Sequence, residues 1–357
     1  FQSSLLVAVG LRDAAPYRTV VTHGWTLDDK GTPMSKSLGN AIYPAEIYER
    51  WGADLMRVWV ASQDYTADVS LSEAMMAQLS EAYRKIRNTF RFALSNLADF
   101  DPQCDALPDD LLDEVDRWML QRTGMLVFDC RNWYDNFEFH RVFHAVHDFC
   151  VVDLSAFYFD ILKDRLYTRP ARGPERRSAQ TAIHRITSAL VRLIAPVLVF
   201  TADEVWKHLP SSSRDTKSVH LALFPTPEEL FPGVEKTLGD HWKTLLEVLV
   251  RALKELEGAR KTKLVASPLE ARVTLGAKGE LAKLLKQYQS RLPELLIVSQ
   301  AGVDEDYASP LASIREALPF LTVRVTRADG AKCERCWNYS THVGKAPDYP
   351  TLCERCL

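Results

Sequence analysis

Two Cys-x-x-Cys pairs near the end of the chain constrain its fold more than any other feature. Cys333 and Cys336 form the first pair, and Cys353 and Cys356 form the second, at a separation typical of paired zinc-binding turns. Each two-residue spacer allows one tight turn to direct both sulfurs inward, and two such turns complete the tetrahedron that zinc accepts from four thiolates. Residues 329–357 are too few to build an apolar core of their own. We therefore predict that 329–357 is a zinc module with one structural Zn²⁺ bound by all four cysteines.

Other uses of these cysteines fit the spacing less well. Common iron–sulfur proteins have a closely spaced run of three cysteines, which this sequence lacks. Free or disulfide-bonded thiols are the remaining alternative. The other cysteines, Cys104, Cys130 and Cys150, are scattered and are expected to be buried or inert thiols. Clustered cysteines in a chain without a secretory signal favour metal over disulfides, and predict a cytoplasmic location.

Length and composition exclude several classes of protein. The 357 residues exceed what one hydrophobic core usually supports, so several domains are expected. The formal net charge of -3 argues against a strongly basic nucleic-acid binder, so any RNA contact must come from local patches. The longest apolar run, 190–200, contains Arg192 and Pro196 and is shorter than the about 20 residues that span a bilayer. The sequence begins at Phe1 without an initiating Met or a basic region, which indicates a start within a longer protein rather than a signal peptide.

The middle of the chain has the periodicity of amphipathic helices. Apolar residues at spacings of three and four predict a long helix with Ser72 as its N-cap and a stop at Asp101-Pro102. The same periodicity recurs at 115–126, 139–149, 154–162 and 183–197. Short connections between these helices predict an antiparallel bundle from about residue 70 to 210. The Pro/Ser-rich stretch 209–213 marks its end.

The regions on either side of the predicted bundle have mixed α and β character. Residues 18–23, Arg-Thr-Val-Val-Thr-His, are predicted to form a short buried strand, as in an α/β domain. Beyond the bundle, 242–256 is predicted to be an amphipathic helix. Strands are predicted at 271–275, 294–301 and 320–326. Together they predict a small α+β domain.

A loop rich in glycine, serine and lysine follows the first predicted strand. We name residues 33–40, Pro-Met-Ser-Lys-Ser-Leu-Gly-Asn, the serine–lysine loop. Lys36 lies between Ser35 and Ser37, and such a loop holds phosphate oxygens with one positive charge and several donors. An ordinary solvated loop explains the same residues equally well.

The segment Met34-Ser35-Lys36-Ser37 resembles the second signature of class I aminoacyl-tRNA synthetases, a mobile loop over the phosphates of ATP. The resemblance implies that these residues bind ATP and that Lys36 is catalytic. Lys36 would stabilise the negative charge that develops on pyrophosphate as the amino-acid carboxylate attacks the α-phosphate. Ser35 and Ser37 would shape the loop and donate to phosphate. Pro33 stands where the family usually has a further lysine, and its fixed φ bears on the mobility of the loop.

Longer stretches resemble the bacterial isoleucyl-tRNA synthetases in particular. They are residues 1–6, 83–89, 153–158, 163–167, 195–196 and 201–206. One segment distinguishes the isoleucyl enzymes from their valyl and leucyl relatives, which are not expected to end in this way. It is Cys333-Glu334-Arg335-Cys336-Trp337, followed by the second cysteine pair. The resemblance spans essentially the whole chain and identifies it as a C-terminal portion of such an enzyme.

The resemblance implies a multidomain fold with several partners. The expected parts are the end of a class I Rossmann-like α/β catalytic domain (1–68), a helical anticodon-binding domain (69–230), a small α+β domain (231–328) and the zinc module (329–357). The intact enzyme is expected to be a monomer that uses isoleucine, ATP with Mg²⁺ and isoleucine tRNA. The basic and aromatic residues Arg335, Trp337 and Lys345 are expected to contact the tRNA.

Two other function classes remain open at this point. One is a non-catalytic tRNA-binding module in which the serine–lysine loop is a relic. The other is a DNA-repair protein, because similar terminal zinc modules occur in some base-excision glycosylases; the strand-to-loop pattern at 18–40 argues against it. The sequence contains no first signature of the His-x-Gly-His kind and nothing resembling an editing domain. The 357 residues alone are therefore expected neither to activate isoleucine nor to edit valine.

Two further groups of polar residues have simpler explanations. His140, His144 and His147 share one helix face, which allows a metal site, but packing or RNA-facing roles are expected. A basic run with interspersed acids is expected to be a solvated helix face, with an RNA-backbone patch as the alternative. Its members are Arg251, Lys254, Arg260, Lys261 and Lys263.

Overall fold

The computed structural model describes residues 1–210, 216–231, 233, 235–307 and 321–357. The helices in these ranges are α1 (Gln2–Arg12), α2 (Pro44–Trp51), α3 (Ala53–Ser62), α4 (Glu73–Asn96), α5 (Glu114–Asp135), α6 (Phe139–Asp148), α7 (Phe159–Thr168), α8 (Pro174–Ile194), α9 (Val199–His208), α10 (Pro227–Leu230), α11 (Lys236–Lys261), α12 (Gly279–Gln287) and α13 (Leu292–Leu296). The strands are β1 (Thr26–Leu27), β2 (Val69–Ser70), β3 (Ala271–Gly276), β4 (Gln300–Asp304), β5 (Thr322–Arg327), β6 (Ala331–Lys332) and β7 (Tyr339–Ser340). Helix dominates, with a small sheet near the end of the chain.

The first strand lies later than the sequence predicted. Residues 18–23 are irregular and exposed, with Val20 at 43% and Val21 at 45% exposure, so the prediction of a buried strand there is wrong. The strand is instead β1, which pairs in parallel with β2 through Thr26 and Val69. Because β2 is only two residues long, it offers no ladder partner to the earlier apolar residues.

The long helix α4 begins where its sequence signal placed it. The Ser72 hydroxyl accepts a hydrogen bond from the Met75 amide at 3.3 Å, which is the N-cap interaction that satisfies an otherwise unpaired donor. Met76, Ile86 and Phe90 are buried along one face. The helix ends at Asn96, before the predicted stop.

Two of the predicted helices are joined into one continuous helical segment. A π-helical stretch, Phe149–Tyr158, connects α6 directly to α7. A π-helix has more residues per turn than an α-helix, which changes the spacing of the apolar residues. The apolar periodicity of the sequence is therefore interrupted here, although the helical segment continues. The Thr89 hydroxyl approaches the Cys150 carbonyl at 3.3 Å and the Ser155 hydroxyl at 3.1 Å, so α4 supplies partners to polar groups of this stretch.

A buried ionic cluster lies where α5, α7, α8 and α13 meet. The Arg165 side chain is 3% exposed and donates to both carboxylate oxygens of Asp116, at 3.0 and 2.9 Å. Asp116 is 0% exposed and also accepts from the hydroxyls of Tyr158 (2.7 Å) and Ser178 (2.5 Å). Glu294 on α13 lies 3.1 Å from the Arg165 guanidinium. We call Arg165, Asp116, Tyr158, Ser178 and Glu294 the Arg165 cluster.

Burial alone would lower the pKa of Arg165, but the surrounding carboxylates raise it above its ordinary value. Burial likewise raises the pKa of Glu294. Both pKa shifts arise because the two groups are shielded from water and interact with neighbouring charges. The cluster therefore ties the helical region to the part of the chain that contains α13.

Aromatic packing makes a second connection between the same regions. Trp118 of α5 stacks on Trp242 of α11 with ring centroids 4.8 Å apart. Glu114 accepts hydrogen bonds from the Trp242 indole at 3.0 Å and from the Tyr288 hydroxyl at 2.5 Å. Both donors, the Trp242 indole and the Tyr288 hydroxyl, are thus paired with Glu114, which holds α11 and the residue after α12 against α5.

The small sheet has the strand order β4-β3-β5, with β3 parallel to β4 and antiparallel to β5. The predictions of a strand at 271–275 and of a helix at 242–256 are confirmed, although α11 extends further in both directions. The predicted strand at 294–301 is wrong over its first half, which forms α13 with Pro293 in its first turn. The third predicted strand, 320–326, corresponds to β5, and its first residue lies outside the described residues. Within the described ranges, no helix is both long and apolar enough to cross a membrane.

The Arg165 cluster gives a test of what holds the helices together. Arg165→Met leaves the Asp116 carboxylate buried without its counter-charge, and should lower the free energy of unfolding by about 3–5 kcal/mol. Urea unfolding followed by far-UV circular dichroism measures it. The matched control is Arg84→Met, which removes an exposed pair with Glu81 and should cost less than about 1 kcal/mol. Equal losses in the two variants would contradict a dominant role for the cluster.

Candidate functional site

The four terminal cysteines converge as their spacing predicted. All are buried, and their sulfur atoms lie within 4.8 Å of one another. The Sγ atoms of Cys336 and Cys353 are 3.6 Å apart, which is too long for a disulfide. A tetrahedral zinc with Zn–S bonds of about 2.3 Å needs sulfurs about 3.8 Å apart, so the donor set fits this metal. Among the described residues, no other group of three or more His, Cys, Asp or Glu side chains converges in this way.

Short backbone turns hold the sulfurs in place. The Trp337 amide donates to the Cys333 carbonyl at 2.9 Å, and the Cys356 amide donates to the Cys353 carbonyl at 3.0 Å. The antiparallel pair β6 and β7 flanks the first turn. Each Cys-x-x-Cys segment therefore forms the tight turn that its two-residue spacer allows.

Ionisation of the thiols favours a cation among them. Burial alone would raise the pKa of Cys333, but backbone N–H groups of Cys336 and Cys353 direct hydrogen bonds at its sulfur and lower the pKa to about 6. Burial and the neighbouring sulfurs raise the pKa of Cys353 and of Cys356 above the ordinary thiol value. A divalent cation relieves this repulsion by binding all four as thiolates.

The zinc module is docked on the rest of the protein rather than free. The Arg355 guanidinium donates to both carboxylate oxygens of Asp164 on α7, at 2.6 and 2.8 Å. Arg335 donates to the Thr168 carbonyl at 3.1 Å, which the sequence did not reveal. The Ser299 hydroxyl accepts from an amide of β7 at 2.7 Å. The position of the module is therefore set by α7 and by the residue preceding β4.

Trp337 has an unusual conformation at the surface of this module. Its φ is 65°, in the left-handed region, and the residue is 60% exposed. A bulky side chain in that region is strained, and glycine is the usual residue there. The Lys332 ammonium lies 5.1 Å from the centroid of the indole ring. The exposed Lys345 lies on the same module, so an aromatic face and positive charge are presented to solvent.

The serine–lysine loop has a fixed base and an exposed tip. Met34 is half-buried, packs against the core, and donates its amide to the Thr26 carbonyl at 3.3 Å. Lys36 begins a single 3₁₀ turn, Lys36–Leu38, and is exposed. The Ser35 and Ser37 hydroxyls are 2.6 Å apart. Of the residues predicted to bind ATP, Met34 is thus an anchor, while Lys36 is directed to solvent.

Two polar residues at the base of this loop were missed by the sequence analysis. The Asn40 side chain accepts from the Ser35 amide and donates to the Asp28 carboxylate, both at 2.9 Å. The hydrogen bond from Asn40, together with that from the Thr32 backbone, lowers the pKa of Asp28. Asp28 and Asn40 are twelve residues apart, and no local pattern in the sequence links them.

Several of the remaining sequence candidates have structural contacts. His144 Nε2 lies 3.1 Å from the Ser62 carbonyl, and His147 Nδ1 lies 3.1 Å from the Asp148 carboxylate. Burial raises the pKa of Cys130 and of Cys150 to about 12, so these thiols are unreactive, while Cys104 is exposed. In the basic run, Arg260 pairs with Glu257 and Arg251 lies near Glu255.

Profiles of known families match most of the chain. Residues 1–72 match "tRNA synthetases class I (I, L, M and V)". Residues 116–275 match "Anticodon-binding domain of tRNA ligase". Residues 330–357 match "Zinc finger found in FPG and IleRS". The three profiles follow one another along the chain without overlap.

Curated relatives decide the family. An isoleucine–tRNA ligase from Syntrophotalea carbinolica is 46% identical over 100% of this chain, and one from Moorella thermoacetica is also 46% identical over 100%. Along its whole length, the chain matches the isoleucine–tRNA ligase family. It matches a C-terminal portion of these ligases and spans 38% of their length. In a solved structure, the LeuRS–tRNA–LeuAMS ternary complex of Agrobacterium radiobacter, the matching chain is 19% identical with a TM-score of 0.48, covering 63% of this chain and 26% of that chain.

The geometry of the cysteines predicts one zinc ion per chain. Protein purified under reducing conditions without chelator should contain about one zinc by elemental analysis. Cys336→Ser should lose most of it, because removal of one ligand opens the tetrahedron. Cys104→Ser, which changes an exposed cysteine outside the module, is the matched control and should retain the metal. A zinc content near zero in the unmodified protein contradicts the prediction.

Chelation should unfold the zinc module selectively. The metal supplies the folding free energy of a segment that has no apolar core, so its removal should expose 329–357 to protease. Far-UV circular dichroism should keep the signal of the helical region, whose core does not include the module. Loss of all helical signal on chelation would show that the module is needed for the whole fold.

Proposed function

We propose that this chain is the part of an ATP-dependent isoleucine–tRNA ligase that supplies the serine–lysine loop, the anticodon-binding helices and the zinc module. The observation that carries the proposal is the order of the three matched profiles, class I synthetase, anticodon-binding domain and zinc finger, along one chain. The intact enzyme would join isoleucine to ATP and then transfer the isoleucyl group to its tRNA. We further propose that it is a cytoplasmic monomer.

The proposed domain limits follow the sequence analysis. Residues 1–68 would be the end of a Rossmann-like catalytic domain, 69–230 the antiparallel anticodon-binding bundle, 231–328 the small α+β domain, and 329–357 the zinc module. The short parallel pair β1 and β2 is consistent with the first of these. The sheet of β3, β4 and β5 with α11 and α13 supports the third.

In the proposed reaction, Lys36 acts on charge rather than on protons. The isoleucine carboxylate attacks the α-phosphorus of Mg²⁺-bound ATP, a new C–O–P linkage forms, and the bond to pyrophosphate breaks. Negative charge grows on the leaving pyrophosphate, where an ammonium group on an exposed loop stabilises the transition state. Ser35 and Ser37, whose hydroxyls already contact each other, would donate to the phosphate oxygens. Met34 would hold the base of the loop in the core.

The zinc module would serve recognition of tRNA rather than catalysis. Four thiolates leave no open coordination position for a water or a substrate, so the zinc is structural. The exposed ring of Trp337, with Lys332 beside it, is suited to stacking on an unpaired base. Lys345 would contact phosphate, and Arg335 would combine such a contact with its docking bond to Thr168. The strained backbone of Trp337 supports a functional reason for keeping an aromatic residue there.

The role of Trp337 predicts a separation of stability from RNA binding. Trp337→Gly should bind isoleucine tRNA about 5- to 100-fold more weakly, because stacking on one base is worth about 1–3 kcal/mol. Zinc content should be unchanged, since glycine adopts the left-handed conformation without strain. Filter binding at moderate salt measures the affinity. Trp25→Ala, which removes another exposed tryptophan, is the control and should bind normally. Normal binding by Trp337→Gly contradicts the stacking role.

The role of Lys36 predicts a loss of chemistry without a loss of fold. In the full-length ligase that contains this chain, Lys36→Ala should lower the rate of adenylate formation by about 10²- to 10³-fold. The KM for isoleucine and the melting temperature should hardly change, because the side chain is exposed and faces pyrophosphate. Pyrophosphate exchange measures the rate. The control is Lys30→Ala, an exposed lysine just before the loop. An unchanged rate in Lys36→Ala would favour a tRNA-binding module with a relic loop.

A further inference from the structure

The serine–lysine loop is closed at its base by two side chains. Asp28 accepts backbone hydrogen bonds from Lys30 at 3.0 Å and Thr32 at 2.8 Å through one carboxylate oxygen. Its other oxygen accepts from the Asn40 amide group at 2.9 Å. The Asn40 side-chain oxygen accepts from the Ser35 backbone amide at 2.9 Å. We call the Asp28–Asn40 pair, with its bond to Ser35, the clasp.

The clasp acts at both ends of the turn that carries Lys36. Ser35 directly precedes the turn Lys36–Leu38, and Asn40 follows Gly39, whose φ of 69° reverses the chain. Residues 36–39 are all exposed, and Leu38 is 65% exposed. Packing therefore does little to orient the tip. The direction of Lys36 depends on the two residues that the clasp joins.

We propose that Asn40 and Asp28 are positioning residues, which hold the loop so that Lys36 is presented to the leaving pyrophosphate. This inference rests on the proposed function of Lys36 and adds to it the residues through which that function is achieved. Transition-state stabilisation requires preorganised charge, and misplacement by about 1 Å reduces rates by about 100-fold. A loop with a fixed base meets this requirement while its tip stays open to ATP.

The chemistry of the pair makes a conservative exchange possible. In the native clasp the Asn40 amide group donates to the Asp28 carboxylate. Asn40→Asp replaces that donor with a second carboxylate, and repulsion between the two should open the clasp. Asp28→Asn combined with Asn40→Asp restores one donor facing one acceptor. In that double variant, residue 28 keeps an oxygen for the amides of Lys30 and Thr32, and residue 40 keeps an oxygen for the Ser35 amide. The exchange should therefore re-form the clasp with its roles reversed.

Pyrophosphate exchange by the full-length ligase tests the inference. Asn40→Ala and Asn40→Asp should each lower kcat by about 10- to 100-fold, with a smaller change in the KM for ATP. The exchanged pair, Asp28→Asn with Asn40→Asp, should recover most of the rate. Asn136→Ala, which removes a side chain bonded only within the end of α5, is the matched control and should have normal kcat.

A thermodynamic cycle separates positioning from a general structural role. If Asn40 acts through Lys36, Asn40→Ala should cause little further loss in a Lys36→Ala enzyme, because the charge that it positions is already absent. An equal loss from Asn40→Ala in both backgrounds would overturn the inference, as would normal kcat in Asn40→Ala. If the Asn40→Ala variant does not fold, the exchanged pair decides. The inference is also overturned if the exchanged pair is no faster than the Asn40→Asp enzyme.

The same experiment distinguishes the two proposals from each other. A normal rate in Lys36→Ala overturns the proposed function and the clasp together. A slow Lys36→Ala enzyme with a normal Asn40→Ala enzyme overturns the clasp alone. Melting temperatures of all variants, measured in parallel, show whether a rate change accompanies unfolding.

Discussion

The contact between Arg165 and Asp116 is the interaction on which the arrangement of the C-terminal regions depends. A guanidinium with 3% exposure is unfavourable in the interior unless every neighbouring group is placed to compensate it. Asp116 on α5 and Glu294 on α13 face the guanidinium, while Tyr158 of the π-helical stretch and Ser178 of α8 donate to Asp116, so the buried charges are compensated only when these elements are packed together. One residue before Arg165, Asp164 receives Arg355 from the zinc module. The helical region, α13 and the metal module therefore meet at two consecutive residues of α7, Asp164 and Arg165.

This convergence bears on the proposed recognition of tRNA. A long RNA ligand that contacts both the helices and the zinc module needs the two surfaces at a constant separation, because each misplaced contact loses binding energy. Docking through Arg335 and Arg355 supplies that constancy. The N-terminal region is held differently: α1 has no buried residues, and the serine–lysine loop depends on a few hydrogen bonds at its base. In the proposed reaction the loop would admit ATP and release pyrophosphate, and this lighter constraint would permit that movement.

Much of the fold was predictable where signals are local. The N-cap Ser72 and the apolar spacing identified α4, and the same spacing identified α11, because both signals report interactions within one helix. The failures were at places where local signals conflict with packing. Residues 18–23 have strand-forming composition without a neighbouring strand, and Pro293 opens a short helix where apolar residues suggested a strand. The π-helical segment Phe149–Tyr158 interrupts helical periodicity without ending the helix.

The sequence by itself determined the four converging cysteines and the family resemblance, because both consist of residue types at short, fixed spacings. A Cys-x-x-Cys turn brings its two sulfurs together in any fold, and the serine–lysine loop is recognisable from consecutive residues. Only the tertiary structure decided that Asn40 reaches back to Asp28, that Arg335 donates to Thr168 rather than standing free, and that Trp337 is exposed in a left-handed conformation. These features depend on the path of the chain between their partners. That path results from burial of the whole core, which no short stretch of sequence contains.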